Sequence, residues 1–155
     1  MAAARRLADA VVRTITGPMW HGPALGELLN GVSHEQASAR PIPDGHTIWE
    51  LVLHLAVWAE IPRARLAGNP RIDVRPDEDW PRPAAATAAA WQDATTRLDT
   101  AYRAFARDVE ALDDRALEAS VSGHDYSVRA MVYGVIEHGT YHGGQIALLK
   151  KARVE

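Results

Sequence analysis

Apolar residues recur every three or four positions along almost the whole 155-residue chain, and this periodicity confines it to an all-α fold. Leu7, Val11 and Ile15 begin one stripe, and Leu25, Leu28, Leu29 and Val32 resume it beyond Gly17-Pro18. The spacing predicts one long first helix, kinked at Pro18 where an amide donor is missing. Pro23 falls near the start of the resumed piece, where proline is tolerated. Ser33-His-Glu-Gln36 reads as the start of a short helical turn, and Pro41 and Pro43 mark a connection. A second long helix opens at Thr47-Ile48-Trp49-Glu50, a capping box. Leu51, His54, Leu55, Trp58 and Ile61 form its inner face; Pro62 should bend its last turns, and Gly68 is a natural stop. The third helix carries Trp91, Leu98, Tyr102, Phe105, Val109 and Leu112 at regular spacing. The fourth runs from about Val128 to Ala152, with Met131, Val135, His138, His142, Ile146 and Leu149 on one side. Lys150, Lys151 and Arg153 sit at its end, where cations favour the helix dipole.

Between the second and third helices lies Gly68 to Ala86, long for a compact bundle. It holds four prolines, the acidic run Asp77-Glu78-Asp79, and Trp80. Two readings stand: a surface crossover, or a lid over a site that Trp80 could close. Extended structure is confined at most to residues 71–75, and the alanines of 84–90 suit a helix start. The expected architecture is a single domain over residues 1–155, a four-helix bundle with one long crossover.

Composition removes several functions. The net charge of −3 argues against gripping a nucleic-acid backbone. With no cysteine, disulfides, Cys-ligated zinc, iron–sulfur clusters and a cysteine nucleophile are excluded. The Arg5-Arg6 pair is followed by Asp9 and Arg13 rather than an apolar stretch, so no signal peptide is expected. No uninterrupted apolar run is long enough to span a membrane. The expectation is a cytoplasmic protein with neither nucleic acid nor membrane as partner.

The seven histidines carry the chemical signal. His138 and His142 are four apart, so their rings project from one face of the last helix a turn apart. Both lie on the inward stripe, and His54 holds the equivalent stripe of the second helix, between Leu51 and Trp58. Three inward histidines can give one ion three nitrogens and leave a position open, the catalytic arrangement for zinc. Such pairs also arise by chance, and an inward histidine is often simply hydrogen-bonded in the core. Three neutral imidazoles in an apolar core each need a separate partner, however, and a shared cation meets that need at once. His21, His34 and His124 read as surface residues; His46, just before the Thr47 cap, could approach the site but reads first as solvent-facing.

The run Trp20-His-Gly-Pro23 with Leu25 and Leu29, then Ala39-Arg40-Pro41, Trp49-Glu50-Leu51, His54-Leu55 and Trp58, resembles the DinB/YfiT-like superfamily. Glu137-His138-Gly-Thr-Tyr141-His142-Gly-Gly144-Gln145-Ile146 resembles that family's most recognisable segment. The match spans nearly the whole chain and is weakest between Gly68 and Ala86. It implies a four-helix bundle with a divalent ion, usually zinc or nickel, held by three histidines, here His54, His138 and His142. Several relatives are S-transferases that use a low-molecular-weight bacterial thiol such as bacillithiol or mycothiol, with the metal generating the nucleophilic thiolate. The resemblance therefore implies transfer of such a thiol to an electrophilic small molecule. A metal-dependent hydrolase, a non-catalytic metal-binding stress-response bundle and a metal-free histidine cluster are the other readings.

Around the candidate ligands, Gln145 could orient a ligand or water from behind, and Tyr141 and Trp58 could line a pocket. Each has a bland alternative, as partly exposed polar or core aromatic. Glu137 should point away from the site. Gly134, Gly139, Gly143 and Gly144 all interrupt the last helix, each costing about 1 kcal/mol against alanine. Gly139 and Gly143 share a face that either admits a ligand or packs tightly, within the bundle or across a homodimer.

Overall fold

A computed structural model describes residues 2–71 and 73–152. Among these it forms eight helices and no strand: α1 (Ala2–Thr16), α2 (Leu25–Leu29), α3 (His34–Ser38), α4 (Ile48–Leu66), α5 (Pro76–Asp79), α6 (Ala88–Glu110), α7 (Asp114–Glu118) and α8 (Val128–Lys151). The four long helices α1, α4, α6 and α8 make the bundle, α4 and α1 each packing on both α6 and α8. Arg153 lies outside the described residues. No described helix is long and apolar enough to cross a membrane.

The first stripe corrects the expectation of one kinked helix. α1 stops at Thr16, because Gly17 turns to φ +70° while its amide still donates to the Arg13 carbonyl at 2.8 Å. A left-handed glycine followed by proline is a helix stop, not a kink. The chain loops and returns as the separate α2, which packs on α1 and α8. Ser33 caps α3 as its sequence suggests, accepting from the Gln36 amide at 3.2 Å.

The capping box of α4 is present in both directions: the Glu50 amide donates to Thr47 Oγ1 at 3.1 Å, and the Thr47 amide to Glu50 Oε2 at 2.8 Å. Beyond it the helix is buried on almost every side. Val52, Leu53, Ala56, Val57 and Ala59 are as enclosed as the expected inner face, because α6, α8 and the crossover all cover it. Pro62 stands inside the helix, which runs on to Leu66 before Gly68 turns at φ +89°.

Trp91, Leu98, Tyr102, Phe105 and Val109 of α6 face the core, while Leu112 lies past its end. Lys150 does more than answer its own helix dipole: its Nζ donates to the Leu28 and Asn30 carbonyls at 2.8 and 2.7 Å, closing the end of α2.

The glycines of α8 divide sharply. A Cβ on Gly139 would lie 2.6 Å from Thr14 Cγ2 and 2.8 Å from the Tyr102 hydroxyl, and one on Gly143 would meet Leu25 and Leu28. Their shared face is filled by the bundle itself. Gly134 and Gly144 have nothing within 4 Å. Gly139→Ala is therefore expected to destabilise the fold by about 1–2 kcal/mol, overpacking outweighing helix propensity. Gly144→Ala should stabilise it by about 0.5–1 kcal/mol. Urea midpoints of the two variants test this, and equal shifts would refute the packing role of Gly139.

Candidate metal centre

α4 and α8 face each other where their inward stripes change from aliphatic to imidazole. His54 and His142 are buried, 5% and 6% exposed, and His138 is half-buried beside them. One nitrogen from each ring lies within 4.8 Å of the other two. His54 Nε2 and His138 Nε2 are 3.0 Å apart, and the ring centroids are separated by 4.5–5.0 Å, all edge-on. Nitrogens bound to one ion at about 2.0–2.1 Å stand roughly 3 Å from each other, so the spacing suits a shared cation.

The hydrogen bonds behind the rings decide which nitrogens are offered. His54 Nδ1 lies 2.7 Å from the Asp79 carbonyl, and His142 Nδ1 lies 2.7 Å from Gln145 Oε1. Both oxygens accept, so both Nδ1 atoms carry the hydrogen and both Nε2 lone pairs point into the cluster. An acceptor behind each ring is the usual support for a metal-binding histidine. Without a cation, the facing Nε2 atoms of His54 and His138 must share one proton between them. The donor set fits a divalent ion that prefers nitrogen, and these three histidines could hold it.

Electrostatics agree. Burial lowers the pKa of all three rings. His138 falls furthest, to about 4, through burial and then the proximity of His142 and His54. Burial thus holds the rings neutral, the form a metal requires.

The crossover reaches the site and is not a wandering surface segment there. α5 ends by presenting the Asp79 carbonyl to His54, while Asp79 Oδ1 accepts from Trp58 Nε1 at 2.6 Å and lies 3.2 Å from His54 Nδ1. Trp80 then lies flat on His54, ring centroids 3.8 Å apart and planes within 4°. His46 stacks on the other face of Trp80 at 3.5 Å, held 3.6 Å from Glu50 Oε2. His46 is exposed as expected, yet it forms the outer layer of a His46–Trp80–His54 stack.

Gln145 stands behind His142, its Oε1 against the ring's Nδ1. Trp58 joins Asp79 to the site and walls an adjacent cavity of about 530 Å³, which reaches His138. Tyr141 is not a wall of that cavity: it is 65% exposed, and its ring centroid lies 4.9 Å from that of His142. Glu137 is exposed. Of the remaining histidines, His21 is exposed and His34 half-buried, whereas His124 is tied down, its Nε2 2.8 Å from the Pro70 carbonyl. Asp79 escaped the sequence reading because the bond it makes spans 25 residues, the second half of them aperiodic chain. Arg65 escaped too, although it extends the stripe of His54, Trp58 and Ile61 by one more turn.

A family model for the DinB superfamily matches residues 20–146, a span holding α2 through most of α8 and all three histidines. The chain belongs to the DinB superfamily. No curated protein and no solved structure matches it. Within this DinB-superfamily chain, the shared helical framework thus coincides with the residues that bring the three nitrogens together.

The depressed pKa values set a pH window. Each folded ring binds protons less readily than its unfolded counterpart at about 6.5, so metal-free protein loses stability as pH falls from about 6.5 toward 4. Metal should dissociate over that same window and be gone well below pH 4. Metal content after dialysis across pH 7.5 to 3.5 checks this; an ion retained at pH 3.5 is not held by three histidines. Gln145→Leu should weaken zinc binding about 10–100-fold by freeing the His142 ring. Competition against a chromophoric chelator measures it.

Proposed function

We propose that this protein is a metal-dependent S-transferase, joining a low-molecular-weight thiol to an electrophilic small molecule beside an ion, zinc or nickel, held by His54, His138 and His142. The observation that carries this reading is the convergence of three imidazole nitrogens, one of whose rings, His138, lines an apolar cavity. A divalent ion held there would favour ionisation of a thiol at neutral pH. The chain has no cysteine, so the thiol is a separate substrate. Its sulfur forms the new bond to carbon, the leaving group departs with the bonding electron pair, and the thiol proton passes to solvent.

The protein's own residues supply the setting. Asp79 and Gln145 hold His54 and His142 in one tautomer, Trp80 covers the outer face of His54, and the cavity receives the apolar body of the electrophile. Hydrolysis is less well served. The Asp79 carboxylate lies at the outer nitrogen of His54, where it accepts from Trp58, and so stands behind the ring and not beside the nitrogens offered to an ion. The same reading takes the protein as a cytoplasmic homodimer acting on small molecules, with neither nucleic acid nor membrane as partner. The net charge of −3 and the exposed Tyr133, Tyr141 and Leu148 along α8 support it.

The test begins with metal content by mass spectrometry on tag-free protein beside His142→Ala. Near one ion per chain is expected in the parent and little in the variant. The parent should then consume monochlorobimane, or another electrophile from a panel, only when a low-molecular-weight thiol is added. The variant should be slower by about a hundredfold or more, as befits loss of a metal's charge stabilisation. Turnover without thiol would make it a hydrolase, and metal without turnover a non-catalytic bundle. Absence of metal after zinc and nickel are offered would sink the mechanism.

A further inference from the structure

The cavity next to His138 has a chemical polarity of its own. Its walls are apolar along α4 and α8, with Trp58, Pro62, Met131 and Val135 facing across it. At the rim stand Arg65 and Tyr126. Every partner of Arg65 is uncharged: Nε donates to the Pro70 carbonyl at 3.2 Å, Nη2 to the Arg71 carbonyl at 3.0 Å, and Nη1 to the Tyr126 hydroxyl at 2.8 Å. No carboxylate pairs with it among the described residues. Arg63, two residues earlier on the same helix, is by contrast paired to Asp108.

The hydrogen-bond inventory leaves donors free. A guanidinium has five N–H groups and three are used, so one remains on each terminal nitrogen. Tyr126, having accepted from Arg65, keeps its own O–H to donate. Two free guanidinium hydrogens beside a free phenol hydrogen, at the mouth of an apolar cavity, match the two oxygens of a carboxylate. The charge of Arg65 is already desolvated on one side by the Trp58 ring, whose centroid lies 5.8 Å away.

The cavity is also kept open deliberately. Gly134 lines it one turn before His138, and a Cβ there would meet nothing within 4 Å. Close packing explains Gly139, but nothing in the bundle requires glycine at 134, where it costs about 1 kcal/mol of helix propensity. From Ala130 to His138 the lining of α8 extends about 12 Å at the helical rise, the length of a two-ring aromatic acid.

We propose that this cavity binds a small carboxylate with an apolar body, its carboxylate taken by Arg65 and Tyr126 and its body lying along α8 toward His138. The inference rests on the proposed function only in making that molecule the electrophilic substrate. The binding itself needs no metal, and so it can fail or succeed separately.

Isothermal titration of the purified protein, before and after metal removal, with 2-naphthoate and the neutral 2-naphthalenemethanol tests it. Naphthoate should bind about tenfold tighter than the alcohol in both preparations, the margin of one charge-assisted hydrogen-bonded pair. Tyr126→Phe should cut the naphthoate affinity several-fold and leave the alcohol unchanged. Gly134→Leu should weaken both by about tenfold or more, with zinc content and circular dichroism unaltered, because its side chain fills the space. Equal affinity for acid and alcohol, failure of both to bind, or no effect of Gly134→Leu would overturn the proposal. So would an acid preference that vanishes with the metal, since the ion and not Arg65 would then be the recognition group. Metal content measured on the same samples reports on the three-histidine reading independently.

Discussion

Two acceptors behind two rings govern how this molecule is organised. The Asp79 carbonyl and the Gln145 amide oxygen each take the Nδ1 hydrogen of a buried histidine, and so turn the Nε2 lone pairs of His54 and His142 inward. Three imidazoles in an apolar bundle would otherwise be a liability, because each buried polar atom left unpaired costs about 1–3 kcal/mol. With the outer nitrogens satisfied, the unmet demand is concentrated at one point between α4 and α8. A single cation there answers all three. The crossover serves the same requirement, because it brings the Asp79 carbonyl from outside the four long helices to the back of the His54 ring.

How much of this was legible beforehand depended on the range of the interaction. Helical periodicity placed α4, α6 and α8, and the Thr47 capping box marked the start of α4. The i, i+4 pair on α8 and the stripe position of His54 placed the three histidines together, because ring direction on a helix follows from sequence spacing alone. The first helix was misjudged at Gly17-Pro18. A proline by itself bends a helix, but the glycine before it could enter the left-handed region and end the helix first. Asp79 and Trp80 belong to a segment with no period. Its four prolines said that the chain would not be regular, not where it would come to rest. Trp80 was the one visible clue, a large ring in an acidic, proline-rich stretch that had to be covered by something. His46 completes that cover from the far side, a contact no local pattern encodes.

The two open glycines of α8 show a different economy from the two filled ones. Gly139 and Gly143 let α1, α6 and α2 approach the last helix, so their cost in propensity is offset by packing. Gly134 and Gly144 return no packing. At Gly134 the empty space is part of a cavity that touches a metal-ligand candidate, and the loss of helix stability is what keeps that space clear. Pro62 acts similarly from the opposite wall: it forgoes one helical hydrogen bond and presents a flat apolar ring to the same cavity. Local rules are thus broken on both sides of one space without any return in packing at Gly134, as expected where stability is given up for a binding function.

Trp58 ties these features into one mechanical unit. Its ring is a wall of the cavity, its indole N–H is spent on Asp79, and Asp79 orients His54. A molecule seated against Trp58 is therefore one hydrogen bond and one peptide group away from a histidine of the cluster. Arg65 adds a second tether, because the same guanidinium that faces the cavity rim also holds the Pro70 and Arg71 carbonyls where the crossover begins. The crossover is thus fastened at its start by a residue of the cavity and at Asp79 by a residue of the cluster. Both fastenings therefore adjoin the cavity, one through Arg65 and the other through Trp58. By linkage, a ligand that altered the orientation of His54 would change metal affinity by the same factor as the metal changed the affinity for that ligand. A segment that looks like a mere connection in the sequence is in this way the element that touches both the walls of the cavity and the histidine cluster.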